Sequence, residues 1–299
     1  MTKRPFDPPR LLLAAASLRQ ATHVPRDRML EIAERYREPE SLAVTLSKAL
    51  DAGAEGVLAT PGRVLDTALA ELERPVPLYA VLPDLPQTGR HDLEPGRVDP
   101  LGGDVRGGGL RAAWTRLRHA RPIARRDFGL LARLRIEADA ARLPRRALQG
   151  VVVAAGATDL ALAAGHRRFF ETLVRFIHGR FHVRAAFETL NLGVLLARLR
   201  EWEVQPDFVV GPVNPRGVMA RPSLAVTLDG MARSRVPVVA THLRGTGLNT
   251  LEEGARFALD HGALGLAPDL AEMDDVGAEL GRLRGWREEK MRLEGSMPA

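Results

Sequence analysis

Residues 183–211 read VRAAFETLNLGVLLARLREWEVQPDFVVG. Val183 to Phe187 is a short apolar run of strand length, Leu192 to Trp202 sets leucines and arginines at helical spacing, and Phe208 to Gly211 is short and apolar again. Pro206 stands where a helix has to stop before the next strand. Strand, turn, amphipathic helix and second strand make one crossover unit, the connection that two parallel strands require. Runs that are continuously apolar, rather than alternating, are what a parallel sheet covered by helices predicts.

The same alternation extends outward in both directions. Upstream lie Leu11 to Ala16, Gly56 to Ala59, Leu78 to Leu82 and Gly150 to Ala154; downstream lie Val236 to Ala240 and Leu264 to Ala267. Helical patterns separate them at Ala157 to Ile177, Ser223 to Ser234 and Leu251 to His261, with Pro237 and the pair Asp51 to Gly53 at helix-to-strand junctions. Eight strands in strict alternation with helices predict an α/β chain of the (β/α)8 class, the TIM barrel, in which 1–299 forms a single domain.

One connection is out of proportion. Residues 83–149, after the third strand, exceed what one helix and two loops need, and they open with Pro83, Asp84, Pro86, Gly89, Pro95, Gly96 and Pro100. Two helical pieces, Leu110 to Arg121 and Phe128 to Leu143, are expected to follow, each with an apolar face and a charged one. From Arg106 to Arg146 there are twelve arginines against Asp127, Glu137 and Asp139, so the net charge of +6 comes from this Arg-rich insertion and the rest of the chain is slightly acidic.

Composition removes several chemistries. No cysteine is present, which excludes disulfides, thiolate nucleophiles and cysteine-ligated zinc. A Schiff-base mechanism needs a lysine at a strand end inside the barrel, whereas Lys3, Lys48 and Lys290 lie elsewhere. No cofactor is required by any motif, and a divalent metal on Glu188, His242, Asp84 or Asp269 is a minor alternative, since no His-x-His or His-Glu-x-x-His spacing supports it. The apolar run Leu11 to Ala16 is too short for a signal core or a membrane span, so a cytoplasmic location is expected.

In this architecture the C-terminal ends of the strands carry the chemistry. Glu188 ends the fifth run, where a carboxyl in an apolar pocket is suited to proton transfer; a surface carboxylate paired with an arginine is the equal alternative. His242 is the one histidine of eight at a predicted strand end. Asn214, within Gly211-Pro212-Val213-Asn214-Pro215, is read either as an amide for a substrate oxygen or as a turn former. Asp84 completes the candidate catalytic set, and Thr60 and Asn191 are further candidates for substrate contacts. After the seventh strand, Arg244, Gly245, Thr246 and Gly247 present donors and small residues suited to an anion, while Thr250 with Glu253 reads as a helix capping box.

The stretch from Pro237-Val238-Val239-Ala240 through Gly245-Thr246-Gly247 to His261-Gly262-Ala263-Leu264-Gly265 resembles the phosphate-binding superfamily of aldolase-like and isomerase-like (β/α)8 barrels. The resemblance implies a small anionic metabolite, phosphorylated or not, with Gly245, Thr246 and Gly247 near its phosphate. The sequence departs from the lysine-dependent members at every strand end, and Ala267-Pro268-Asp269 stands where a glycine motif follows strand eight.

Two functions follow. The first is an isomerase or lyase acting by general acid and base chemistry on a small anionic carbonyl metabolite, with Glu188 and His242 moving protons. The second is a binding barrel whose Arg-rich insertion grips RNA or an acidic protein. Nucleic acid is disfavoured because Trp114 and Phe128 are the only aromatics there for base stacking, and a solvated face or a homo-oligomer contact explains the charge as well.

Overall fold

The computed structural model describes residues 7–18, 25–72, 74–83 and 128–295. Eight parallel strands follow one another in chain order around the sheet: β1 (Leu13–Ala14), β2 (Val57–Ala59), β3 (Leu78–Leu82), β4 (Leu148–Val153), β5 (Arg184–Glu188), β6 (Phe208–Pro212), β7 (Val238–Thr241) and β8 (Gly265–Leu266). The ends of the sheet meet. Leu11 bridges Leu266 and Ala14 bridges Asp269 in parallel fashion, and Leu12 N–H donates to Leu266 O at 2.9 Å while Ala14 N–H donates to Pro268 O at 2.8 Å. The chain is therefore a closed (β/α)8 barrel.

The covering helices are α1 (Arg26–Arg35), α2 (Pro39–Asp51), α3 (Arg63–Glu71), α4 (Phe128–Ala140), α5 (Ala155–Ala163), α6 (Arg167–Phe181), α7 (Leu192–Glu201), α8 (Leu224–Arg233), α9 (Leu251–Asp260) and α10 (Val276–Gly295). The expected single helix from Ala157 to Ile177 is two helices. Gly165 adopts φ +62°, which no helix interior tolerates, and the His166 ring then caps the new helix by accepting from Phe169 N–H at 3.2 Å. Of the expected insertion, the piece beginning at Phe128 is α4; Asp84, the piece Leu110 to Arg121 and most of the arginines lie outside the described residues. No helix among the described residues is long and apolar enough to cross a membrane.

Strand side chains alternate faces, and the core divides accordingly. Leu13, Val57, Leu78, Val151, Ala185, Val209, Val238 and Leu266 face the helices in one buried cluster. Leu12, Leu58, Tyr79, Val152, Ala186, Phe208, Val239 and Ala267 form a second cluster inside the ring. The two layers of the interior differ in bulk, and that positions the site. Toward the strands' N-terminal ends Tyr79 meets Phe208 edge-on at 6.0 Å, Arg184 lies over the Tyr79 ring, and Gly150 makes room for the ring, since a Cβ there would stand 2.7 Å from Tyr79 Cδ1. Toward the C-terminal ends the interior residues are Ala14, Val81, Val210 and Ala267, all smaller than the Tyr79–Phe208 pair, and a cavity opens at that end.

Candidate active site

The hollow end is walled by residues that continue the inward phase of each strand. From Leu58 the phase runs to Thr60, from Ala186 to Glu188, from Val239 to Thr241 and from Ala267 to Asp269. All four, with His242, Ala14, Ala16, Leu58, Ala59, Val81 and Ala267, line one cavity of about 70 Å³. The volume is well below the roughly 300–1,000 Å³ of a drug-sized ligand pocket, so the cavity suits the reacting end of a small molecule.

Glu188 is half-buried at the wall, and its Oε2 accepts from Ala155 N–H at 3.2 Å, the first residue of α5. Burial pushes its carboxyl above the usual carboxylate range; the Ala155 N–H opposes this and the nearby charge of Asp159 reinforces it. A carboxyl of this kind keeps its proton closer to neutrality than a surface glutamate does and can donate it. His242 follows Thr241, which already points inward, so an extended backbone would turn the imidazole outward to the helices. Its φ of +54° reverses that and brings the ring to the cavity, with Nδ1 3.0 Å from the Thr241 hydroxyl. Left-handed backbone at a non-glycine residue is sparse and concentrates at functional sites.

The other candidates fall in different places. Asn214 is fully buried, its Nδ2 donates to Val218 O at 2.9 Å and its Oδ1 accepts from Val218 N–H at 3.0 Å, so both ends of the amide staple the turn after β6. That satisfies the turn-forming alternative and leaves the amide committed. Asn191 begins α7 without a side-chain cap, and its own N–H donates to Thr189 Oγ1 at 2.9 Å. Asp84 is outside the described residues.

Arg244, Thr246 and Gly247 border a second concavity of about 240 Å³ with Arg28, Glu272 and Asp274. Arg244 Nη1 donates to Glu272 O at 2.9 Å, and Arg28 Nη2 donates to Met273 O at 2.6 Å and pairs with Asp274 at 2.8 Å. The guanidinium groups thus spend donors on tying down the segment after β8. Gly245, by contrast, is buried, and its N–H donates to His242 O at 3.0 Å, while Thr246 and Gly247 remain exposed. The same two loops wall both hollows: His242 and Arg244 belong to one, Asp269 and Glu272 to the other.

That second loop held a group the candidate set omitted. Asp269 Oδ1 accepts from Ala271 N–H and Glu272 Oε2 accepts from Asp269 N–H, a reciprocal capping box around the 3-10 turn Leu270–Glu272. Glu272 Oε1 also accepts from Arg244 N–H at 3.0 Å, so this buried carboxyl joins the two loops. Burial raises it to about 7, against the opposing Asp269 N–H and with help from the Asp269 charge. The Asp-x-x-Glu spacing of 269 and 272 is a sequence-level capping signature and was the available signal.

No family model matches the sequence, and no curated protein matches it. Among solved structures the chain is similar to one described as QR15, an aldolase (12% identity, 94% of this chain and 96% of that one, TM-score 0.47), and to a thiamine phosphate pyrophosphorylase from Pyrococcus furiosus (12% identity, 94% and 96%, TM-score 0.40). The assignment of the fold rests on strand order and ring closure in this chain, independently of these likenesses.

Proposed function

We propose that the chain is an enzyme of isomerase or lyase type that moves a proton on a small anionic carbonyl metabolite, with Glu188 as the general acid and His242 as its counterpart across the cavity. The observation that carries this reading is that Glu188, whose carboxyl burial favours in the protonated form, and His242, held in a left-handed backbone, line the same cavity at the hollow end of the ring. Thr60 and Thr241 supply hydroxyls to the same space, and Asp269 supplies a carboxylate. The exposed Thr246 and Gly247, next to the positive charge of Arg244, are where an anionic end of the substrate fits best.

The test uses a panel of small hydroxy- and oxo-acids and their phosphates in D2O, followed by proton NMR for loss of the signal beside the carbonyl. The wild-type protein is expected to exchange at least one compound class, and Glu188→Gln is expected to slow that exchange by roughly 100-fold or more at unchanged thermal stability. Exchange by Glu188→Gln at the wild-type rate removes Glu188 from the reaction.

A further inference from the structure

The first turn of α5 grips the end of β5 at two points one helical turn apart. Ala155 N–H donates to Glu188 Oε2 at 3.2 Å. Four residues later, Asp159 Oδ1 accepts from the Thr189 hydroxyl and Asp159 Oδ2 accepts from Leu190 N–H at 3.2 Å. Thr189 is fully buried, and its Oγ1 in turn accepts from Asn191 N–H, so the two residues after Glu188 are bound to the Asp159 carboxylate and the third is tied to it through Thr189. Thr158, between the two grips, donates to Val153 O at 3.0 Å and pins the helix turn to the end of β4.

We infer that Asp159 is the positioning residue for Glu188, fixing the chain that follows it while keeping a second negative charge beside the Glu188 carboxyl. Position and charge come from the same carboxylate. Glu188 is the last residue of β5, so hydrogen bonds that fix Thr189 and Leu190 hold the backbone that sets the direction of its side chain. The charge of Asp159 acts together with burial to disfavour the ionised form of Glu188, against the Ala155 N–H that favours it. Among the described residues, the ionisable groups facing Glu188 from the surrounding elements are Asp159 on α5, His242 after β7 and Asp269 after β8; of these, Asp159 is the one whose charge raises Glu188. This inference rests on the proposed role of Glu188 only for its consequence in catalysis; the physical coupling stands apart from it.

Two neutral replacements test it, Asp159→Asn and Asp159→Ser, each examined in the full chain labelled with carbon-13 in the glutamate side-chain carboxyl. The Glu188 resonance is the one missing from Glu188→Gln, and its chemical shift is followed against pH. The expected result is a fall in the Glu188 titration midpoint in either folded variant, with Asp159→Glu returning toward the wild-type value. In the exchange assay the descending limb of the pH–rate profile, which reports loss of the acid's proton, is expected to move to lower pH by the same interval. A folded neutral variant whose midpoint coincides with wild type overturns the inference. If the midpoint moves while Glu188→Gln still exchanges substrate, the positioning stands and the proposed reaction falls; if Glu188→Gln is inactive and the midpoint is fixed, the reverse holds.

Discussion

Glu272 ties the pH dependence of folding to the two loops over the barrel mouth. The carboxyl is 5% exposed and raised to about 7 from an unfolded value near 4.5. Because the folded state holds this proton more tightly than the unfolded state, its contribution to stability is complete below about pH 4.5 and is lost as pH rises through about 7. At 1.36 kcal/mol per pH unit, that interval corresponds to about 3 kcal/mol. For a chain of this length the loss is roughly 5 °C in Tm.

The perturbation is Glu272→Gln, and the assay is urea unfolding of both proteins at half-unit steps from pH 4.5 to 8.5. Gln keeps the shape but presents one acceptor to the two N–H groups of Arg244 and Asp269, so a constant offset between the proteins is expected. The slope is the test. Wild-type stability relative to Glu272→Gln should decline by about 3 kcal/mol across the window. Two profiles that run parallel throughout would refute the claim that burial governs this group.

Two further substitutions separate structure from chemistry at the same mouth. Asn214→Ala leaves Val218 N–H and C=O without their side-chain partner in a half-buried turn, so it should cost roughly 1 kcal/mol or more in denaturant unfolding while exchange per folded molecule stays within a few-fold of wild type; full stability with lost exchange would return Asn214 to the substrate. Gly254 lies in the first turn of α9 where an added Cβ would stand 2.0 Å from Leu243 O, directly between His242 and Arg244. Gly254→Ala should therefore destabilise by roughly 1–3 kcal/mol, whereas a variant as stable as wild type would mean the loop yields freely.

The ring was legible from order and spacing, since several of the apolar runs are weak individually: eight of them at crossover spacing predict parallel neighbours, and closure follows from their number. Glu188 was legible for a related reason, since Arg184, Ala186 and Glu188 share one phase and the last of them must stand at the top of the interior. The helix break at Gly165 has a sequence signal, a glycine between a uniformly apolar stretch and an amphipathic one, but a single glycine is also tolerated inside a helix, and it is the left-handed backbone there that decides. Asn214 illustrates a limit of another kind, because its two readings differ in what its amide touches, and Val218 is a partner that spacing alone does not select. The acidity of Glu272 was invisible for the same reason: its capping partner Asp269 is three residues away, but Arg244, which brings the second loop, is far off in the chain. Local signals thus gave the scaffold, and contacts between loops decide which polar residues are free to act.

The most direct measurement is a double-mutant cycle in the D2O exchange assay with Glu188→Gln, His242→Asn and the pair combined, Asn being chosen because it tolerates the left-handed backbone at 242. Two groups that serve one proton transfer are predicted to be strongly non-additive, so the double variant should exchange no more slowly than the worse single one. Rate losses that multiply, or a single variant with the wild-type rate, would contradict a shared site at the mouth of this barrel.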